Sequence, residues 1–455
     1  MKKSFLILAT AALFAACSNE KAITIEQPVA QQQASDDAIR FGVYVNRGLT
    51  RAGQPDTLTT KKLAAAGFGV FAFYTNNEAY SQYAIPNFMY NQEVTGTGDP
   101  LVWSYSPLKY WPNEYGTGAN SDDMDKLSFF AYAPYVEVKP TSGIPVLVTK
   151  ADSTNRDSVL NKNITALTRN TAVGDPMVKY VVDTDPSTSV DLLWGVQPES
   201  VKYDSIVEFG WTQAAGFPYT DLIKDKASKS KINLQFNHAL AQFNATIDAI
   251  VDKDTVDLDA NTKIFVRSIT FTGIAMKGAL NLNNGTKNVP YWLDYEGKNE
   301  IISEEVTFYD GRKDGKEATA NGEQRSELPC MLNPEIVQDT TSAKSGVVKD
   351  TLNLFKSLSY KAPIYVIPTT DAMNVTIVYD VETKDDNLAT YLSDGVTHGS
   401  SVENRIYKEN VFAKFEAGKS YTLNIHLGMT SVKFDAEVTN WVEETAADVD
   451  LPQNK

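Results

Sequence analysis

The sequence predicts an all-β protein made of two tandem antiparallel β-sandwich domains. Short stretches in which apolar and polar residues alternate recur along the chain, which is typical of strands with one buried face. Clusters of Gly, Pro, Asn and Asp separate them, and strand patterns do not alternate with helix patterns as they do in parallel α/β folds. The 455 residues are enough for two domains of ordinary size. We expect an N-terminal domain over residues 38–254 and a C-terminal domain over residues 255–455.

The N-terminal half carries the stronger strand patterns. The stretch from Phe68 to Tyr74 is apolar on both faces, which predicts a strand in the middle of its sheet. The stretch over residues 232–247 changes its apolar phase midway, and a β-bulge near Ala239 or Ala241 would reconcile the two phases. A short helix is expected from about Thr59 to Ala66, and the other predicted strands lie at residues 39–45, 87–95, 101–106, 126–136 and 191–197.

A run of aspartates marks the expected boundary between the domains. Asp252, Asp254, Asp257 and Asp259 lie in a stretch without apolar periodicity. Because Asp257 stands where a calcium-binding EF-hand loop needs glycine, the run is interpreted as a solvated linker. The strand patterns of the second domain lie at residues 266–274, 278–285, 304–310, 364–383, 419–428 and 432–444.

The first residues have the composition of a bacterial export signal. Two lysines precede an apolar run from Phe5 to Ala16, which is too short to span a bilayer. Cys17 follows directly, and this arrangement resembles the lipobox of bacterial lipoproteins. We therefore expect a signal peptide over residues 1–16, a lipid (diacylglyceryl, palmitate) on Cys17 that anchors the protein in the outer membrane, and a flexible tether over residues 17–37. Plain secretion without a lipid is the alternative.

The net charge of the chain excludes one class of partner. The formal net charge is −15, and removal of the two lysines of the signal peptide makes it −17. An acidic surface repels polynucleotides, so no nucleic-acid partner is expected.

The chain has two cysteines, Cys17 and Cys330. Lipidation of Cys17 would leave Cys330 alone, so no intramolecular disulfide is expected. Cys330 lies among apolar neighbours in the sequence, which predicts a buried thiol.

The sequence does not indicate an enzyme, a cofactor or a metal site. The chain has three histidines, and His238 and His426 lie within strand patterns while His398 lies in a loop pattern. None of them has a neighbour at metal-ligand spacing, so each is interpreted as a structural residue. The motifs of serine hydrolases and of nucleotide-binding loops are missing.

An aromatic segment from Trp103 to Tyr115 has two interpretations. Exposed Trp and Tyr rings stack on sugars or contact other proteins, whereas buried rings fill a β-sandwich core. Packing in the core is the preferred interpretation. A surface on which the aromatic rings from Trp103 to Tyr115 stack on sugars, with Trp111 as the residue to test, is the alternative.

The stretch from Ile39 to Arg51 combines an amphipathic strand with a protease-sensitive pattern. Its first half alternates as a strand with one face in the core. Arg47 and Arg51 then bracket Gly48, Leu49 and Thr50, a small flexible segment that a trypsin-like protease could cut. The stretch is either an ordinary first strand and loop or a removable plug.

Several segments together resemble the fimbrillin-like family, the pilins and accessory subunits of type V pili in Bacteroidales. The resemblance rests on residues 101–113, 126–136, 232–247 and 417–441, with the lipobox in front of them. It implies two transthyretin-like β-sandwich domains and export as a lipoprotein. In the polymerising members a protease cuts after an arginine that follows the first strand, and a terminal strand of another subunit fills the resulting groove by β-augmentation.

Carried onto this sequence, the resemblance names three sets of residues. The expected cut is after Arg51, with Arg47 as the second candidate. The plug strand would be formed by Ile39, Phe41, Val43 and Val45. The donor strand would be formed by Val432, Phe434, Ala436 and Val438.

The expected function is a structural or adhesive subunit of a cell-surface pilus, with other pilus subunits and the outer-membrane lipid as partners and a surface receptor as a further one. Three other functions compete with it. The first is a tip or anchor subunit that does not polymerise, which would follow if the last strand is paired within its own domain. The second is a surface glycan-binding lipoprotein that uses the aromatic segment, and the third is a secreted glycosidase.

Overall fold

The fold was obtained as a computed structural model. It describes residues 38–45, 63–99, 101–112, 125–141, 144–147, 163–167, 174–186, 188–198, 215–224, 231–249, 261–310, 331–332, 335–338, 345–348, 352–353, 363–392, 395–427 and 432–441.

The described residues form 26 strands and a short helical turn at residues 63–66. The strands of the N-terminal half are β1 (Arg40–Val45), β2 (Phe68–Tyr74), β3 (Met89–Thr97), β4 (Val102–Ser104), β5 (Leu127–Ala133), β6 (Val138–Thr141), β7 (Ile144–Leu147), β8 (Ile164–Leu167), β9 (Met177–Val181), β10 (Leu193–Val196), β11 (Tyr219–Leu222), β12 (Lys231–His238) and β13 (Ala241–Ala249). Those of the C-terminal half are β14 (Thr262–Ile274), β15 (Lys277–Thr286), β16 (Val289–Leu293), β17 (Glu304–Asp310), β18 (Met331–Leu332), β19 (Glu335–Gln338), β20 (Ser345–Val348), β21 (Leu352–Asn353), β22 (Ile364–Val366), β23 (Met373–Lys384), β24 (Gly399–Phe412), β25 (Lys419–Leu427) and β26 (Val432–Asn440). The predicted all-β class is confirmed.

The N-terminal sheet has the strand order β1-β12-β10-β5-β2-β3-β4, and β11 pairs with β5. Strand β1 also lies beside β4, and Ala38 is bridged to Tyr110 in the segment that follows β4. The sheet is therefore curled so that its first and last strands approach each other. This curl encloses an apolar interior.

Strand β2 confirms the prediction of a central strand, because it lies between β5 and β3. Phe68, Val70 and Ala72 face the enclosed interior, whereas Phe71 and Phe73 face a second core. The interior is called the N-terminal cluster, and its buried members are Ile39, Phe41, Leu63, Phe68, Val70, Ala72, Met89, Val94, Trp111, Leu127, Phe129, Ala131, Ala133, Tyr219, Leu222, Ile232, Leu234 and Phe236.

Two sheets form the body of the C-terminal half. One has the order β21-β13-β25-β26, with β22 also on β13, and the other has the order β17-β14-β23-β24, with β18 also on β14. Residues of both sheets, among them Phe243, Phe271 and Tyr421, belong to a central cluster that continues into the outer face of the N-terminal sheet. Most strand pairs are antiparallel as predicted. Among the described strands, two pairs are parallel, β1 with β12 and β13 with β25.

Two sheets contain strands from both sides of the expected domain boundary. Strands β8 and β9 join β15 and β16 in a four-stranded sheet, and β13 lies in a sheet with β25 and β26.

The change of apolar phase near residue 240 has a different cause from the β-bulge expected from the sequence. The strand ends at His238, and the chain then leaves the N-terminal sheet and enters a C-terminal one as β13. The phase changes because the two strands bury their side chains in different surroundings. The division at residue 254 stays a prediction.

Candidate functional site: the β1 groove and the C-terminal strand

One side of β1 is held by a parallel ladder to β12. The pairing runs without interruption from Arg40 opposite Lys231 to Val45 opposite Phe236. Gly42 lies in the middle of this ladder, where an added Cβ would come 2.3 Å from Asn233 Oδ1 and 2.5 Å from Lys231 Cε. A glycine therefore allows β1 to lie close against the side chains of β12.

The other side of β1 is held by the segment that follows β4. The Ile39 N–H donates to the Lys109 carbonyl at 2.9 Å, and the Tyr105 hydroxyl donates to the Ile39 carbonyl at 2.9 Å. Burial raises the pKa of Tyr105 from 10 to about 12, so that the phenol stays a donor further into the alkaline range. The strand thus fills a groove between two parts of the sheet that are not adjacent in sequence.

The inward side chains of β1 complete the N-terminal cluster. Ile39 and Phe41 are buried, and Val43 packs against the same cluster. The Phe41 ring meets three aromatic rings edge-on, with centroid distances of 5.8 Å to Phe68, 5.5 Å to Tyr105 and 6.4 Å to Phe129. Arg40, between the two buried positions, is exposed. The structure therefore places Ile39, Phe41 and Val43 on the inner face, while the side chain of Val45 lies outside the described residues.

The two expected protease sites and the lipid site lie outside the described residues. This applies to Arg47, Arg51 and Cys17, and also to Cys330.

Strand β26 contains the expected donor residues, and it is paired within the chain. Its ladder with β25 runs from Val432 opposite Leu427 to Asn440 opposite Lys419. In the part of the chain that the structure describes, no strand covers its other edge. Val432 and Phe434 pack partly against the central cluster, whereas Ala436 and Val438 are exposed. The strand thus contributes little apolar burial beyond its first half.

Trp441 fixes the end of β26. Its ring stacks on His238 at 3.9 Å with an interplanar angle of 18°, and on Tyr365 at 5.3 Å with an angle of 17°. The backbone N–H of Trp441 donates to the Gly418 carbonyl at 3.0 Å. His238 Nδ1 lies 2.7 Å from Asp191 Oδ2, which orients the imidazole under the indole. The end of the strand is therefore tied to β12, the strand that lines the β1 groove.

The other two histidines also have structural partners. His426 Nε2 lies 3.1 Å from Asp435 Oδ2 across the β25–β26 ladder, and His398 Nδ1 lies 2.5 Å from the Leu388 carbonyl. Among the described residues, no three His, Cys, Asp or Glu side chains are grouped so that they could hold a metal ion. The helical turn at residues 63–66 is far shorter than a membrane span, and the described ranges contain no helix suited to crossing a bilayer.

The direction of the strands defines two ends of the C-terminal half. Strands β13 and β25 are parallel, and the Gly418 N–H donates to the Leu240 carbonyl where both begin. We call this level the junction end, since Leu240 lies two residues after the end of β12. Strand β25 runs for 9 residues, about 30 Å, to the distal end at Leu427. Strand β26 begins at the distal end, at Val432, and returns to the junction end.

The aromatic segment from Trp103 to Tyr115 is mostly part of the core. Trp111 is 2% exposed and lies 6.2 Å from the Phe129 ring, and Trp103 packs on Phe68. Trp111 therefore offers no ring face to a sugar, because its indole is inside the N-terminal cluster. Tyr110 is exposed, and Tyr115 lies outside the described residues.

A family model and a curated relative agree with the family expected from the sequence. The solved structure of a fimbrial protein from Bacteroides vulgatus is 22% identical, with a TM-score of 0.49, and the alignment covers 89% of this chain and all of that chain. The curated fimbrium subunit Fim1C from Phocaeicola vulgatus is 24% identical over 468 aligned positions, which cover 99% of each chain. The model of the fimbrillin-like family matches residues 50–441, most of the chain. The protein therefore belongs to the fimbrillin-like family.

Proposed function

We propose that the protein is a subunit of a cell-surface fimbria of the type V class, which enters the fibre by strand exchange after a protease has removed β1. The observation that carries this proposal is the position of β1. It is bounded on one side by β12 and on the other by residues 105–110, and it contributes Ile39 and Phe41 to the core.

Loss of β1 would open both a backbone edge and an apolar trough. The N–H and C=O groups of β12 that face β1 would lose their partners, which is costly unless another strand pairs with them. The trough left by Ile39 and Phe41 would expose apolar surface worth about 1.5–3 kcal/mol for each side chain. A strand from another subunit would bind tightly if it restored both the hydrogen bonds to β12 and the apolar contacts in the trough. Cutting after Arg51, or after Arg47, would separate β1 from the rest of the chain.

Two features of β26 bear on whether it acts as the donor strand. Its apolar alternation supports the donor role, whereas its pairing with β25 supports a tip or anchor role. Val432, Phe434, Ala436 and Val438 alternate in the sequence as Ile39, Phe41 and Val43 do, and their strand starts at the distal end. Its ladder with β25, however, must be broken before it can donate. This pairing favours the second candidate function, a tip or anchor subunit that accepts a strand without donating one.

Anchoring of the newly exported chain is proposed to occur through a lipid on Cys17 in the outer membrane. Removal of β1 would also remove Cys17 and the tether, so that one cleavage would release the subunit from the lipid and open the groove. The partners are other fimbrial subunits, and adhesion through a receptor remains part of the proposal. A structural role is proposed in place of an enzymatic one.

The experiment is limited digestion of the purified full chain with a trypsin-like protease, followed by intact mass measurement and gel electrophoresis without boiling. We expect a new N-terminus at Ala52 and a ladder of SDS-resistant oligomers. Arg51→Ala should prevent both, or should move the N-terminus to Gly48 if Arg47 is used. Cleavage at Ala52 without oligomers would support the tip or anchor role. A groove strand that stays uncut in fibres isolated from cells would contradict the proposal.

A further inference from the structure

Strand β24 forms an outer edge of its sheet. The strand order is β17-β14-β23-β24, and in the described part of the chain no strand pairs with the side of β24 that faces away from β23. The strand is long, since it extends for 14 residues from Gly399 to Phe412. An open edge presents backbone N–H and C=O groups with which the edge of another chain can pair.

The side chains of β24 are largely exposed to solvent. The register with β23 is regular from Gly399 to Lys408, so that residues two or four positions apart lie on the same face. Val402 is 56% exposed, although Ile406 on the same face packs partly against the central cluster. The strand therefore combines an open edge with apolar surface that is not covered within the chain.

The middle of β24 has a self-complementary sequence. It reads Val402, Glu403, Asn404, Arg405 and Ile406. An acid and a base flank the central asparagine, and an apolar residue follows on each side. When two such strands run antiparallel and are centred on the asparagine, residue 403 lies opposite residue 405 of the other copy, and residue 402 lies opposite residue 406.

We propose that β24 of one copy of this chain pairs in antiparallel orientation with β24 of a second copy, about a two-fold axis at Asn404. Opposite charges and apolar side chains then face each other across the ladder, each pair occurring twice. The paired stretch from Ser400 to Lys408 is about 30 Å long. This contact does not involve β1 or an exchanged strand, so it does not rest on the proposed function.

Other registers match the side chains less well. Opposed residues of an antiparallel pair point to the same face, so the axis of a symmetric pair passes through a residue. An axis at Ile406 would set Glu403 against Glu409, and an axis at Tyr407 would set Ile406 against Lys408. An axis at a charged residue would set that charge against its own copy, which destabilises a ladder. The charges that usually protect an edge strand therefore become attractive in the register centred on the asparagine.

Glu403 keeps its contact with Arg267 in this arrangement. Arg267 Nη1 lies 3.2 Å from Glu403 Oε2, and the same guanidinium binds the fully buried carboxylate of Asp380. Two carboxylates and one guanidinium leave a net charge of −1, and the Glu403 side chain is 55% exposed. Because a carboxylate can accept about four hydrogen bonds, Arg405 of the second copy can join this cluster without displacing Arg267.

Asn404 suits a position on the two-fold axis. Its side-chain N–H donates to the Val402 carbonyl of the same strand at 3.2 Å. An amide carries donors and an acceptor, so that two copies of Asn404 that face each other can bond reciprocally. Two copies of a charged residue would repel each other at this position.

The test is disulfide trapping on the uncut full chain, in which β1 occupies its groove, so that pairing of β24 is measured apart from strand exchange. The background carries Cys17→Ser and Cys330→Ser. Asn404→Cys then places a thiol on the axis, where opposed Cα atoms lie about 4.5–5.5 Å apart, within the range of about 4.4–6.8 Å that a disulfide needs. In the matched control, Tyr407→Cys, the two thiols lie about 20 Å apart. We expect mild oxidation to give a covalent dimer at least fivefold faster with Asn404→Cys, after circular dichroism has shown that both variants are folded.

The dimer dissociation constant, measured by sedimentation equilibrium on the uncut chain, provides a second readout. Arg405→Glu should raise it about tenfold, because two attractive pairs with Glu403 become two repulsive ones. Lys408→Glu is the same change of charge on the same strand, and it should raise the constant less than twofold, because Lys408 faces Ser400. Equal effects of the two substitutions would overturn the register. A chain that stays monomeric up to about 1 mM, or a dimer in which Asn404→Cys reacts no faster than Tyr407→Cys, would overturn the proposal.

Discussion

Phe41→Ala is the sharpest test of how β1 is held. The Phe41 side chain is 4% exposed and meets the rings of Phe68, Tyr105 and Phe129 edge-on within 6.4 Å. Truncation of a buried phenylalanine costs about 3–5 kcal/mol, because the apolar transfer free energy is lost and a cavity remains. We expect the free energy of unfolding of the uncut chain to fall by that amount. The matched control is Val438→Ala, a strand residue that is 51% exposed and should change it by less than about 0.5 kcal/mol.

The assay is urea unfolding followed by tryptophan fluorescence, in which Trp111 reports on the N-terminal cluster. The midpoint of the transition that includes Trp111 should fall in Phe41→Ala and stay in place in Val438→Ala. A loss below about 1 kcal/mol in Phe41→Ala would refute the packing described for β1, since such a value is typical of a surface position. A chain that begins at Ala52 lacks Phe41, so it should show the low midpoint irrespective of this substitution.

Three further predictions concern the ties around this site and the C-terminal half. Arg267→Ala should destabilise the chain by about 3–5 kcal/mol, because it removes the guanidinium bonded to the fully buried carboxylate of Asp380; thermal unfolding measures this, and a loss under about 1 kcal/mol would contradict it. Trp441→Ala should speed amide hydrogen exchange along β26 while Trp441→Phe changes it little, because phenylalanine still stacks on His238; equal rates in both would show that the stack does not hold the strand. The pKa of Tyr105 is raised from 10 to about 12 in the folded chain, so its contribution to stability is complete below about pH 10 and is lost as the pH rises to about 12; Tyr105→Phe should lose less stability than the native chain between about pH 8 and pH 11 in urea titrations, and an equal loss would refute the shift.

Much of the fold could be predicted because burial leaves a pattern in the sequence. Phe68 to Tyr74 is apolar on both faces, and the strand is indeed covered on both faces. Strand β24 could not be predicted, for the opposite reason. It is a long edge strand whose residues from Ser400 to Asn410 are mostly exposed, so that its sequence has no apolar alternation to reveal it. Pairing with β23 holds it in place, and this is a tertiary effect that local patterning does not record.

The site could be predicted only in part. The alternation of Ile39, Phe41 and Val43 predicts which side chains point inward, and the structure buries the first two and packs the third against the same cluster. The partner and direction of the strand could not be predicted, because one strand's periodicity says nothing about which other strand it joins. The stack of His238 on Trp441 joins residues about two hundred positions apart, and no spacing in the sequence indicates it.

The parallel pairing of β1 with β12 has a consequence for the direction of exchange. Hydrogen bonds in a parallel ladder are slanted, and such pairing is slightly less stable for each residue than antiparallel pairing. A strand that enters the same groove in the opposite direction would run antiparallel to β12. It would then form the better ladder with the same backbone groups. In that case β1 would pair less stably with β12 than the incoming strand does. The geometry of the ladder alone would then favour the growth of the polymer, apart from any difference in side chains.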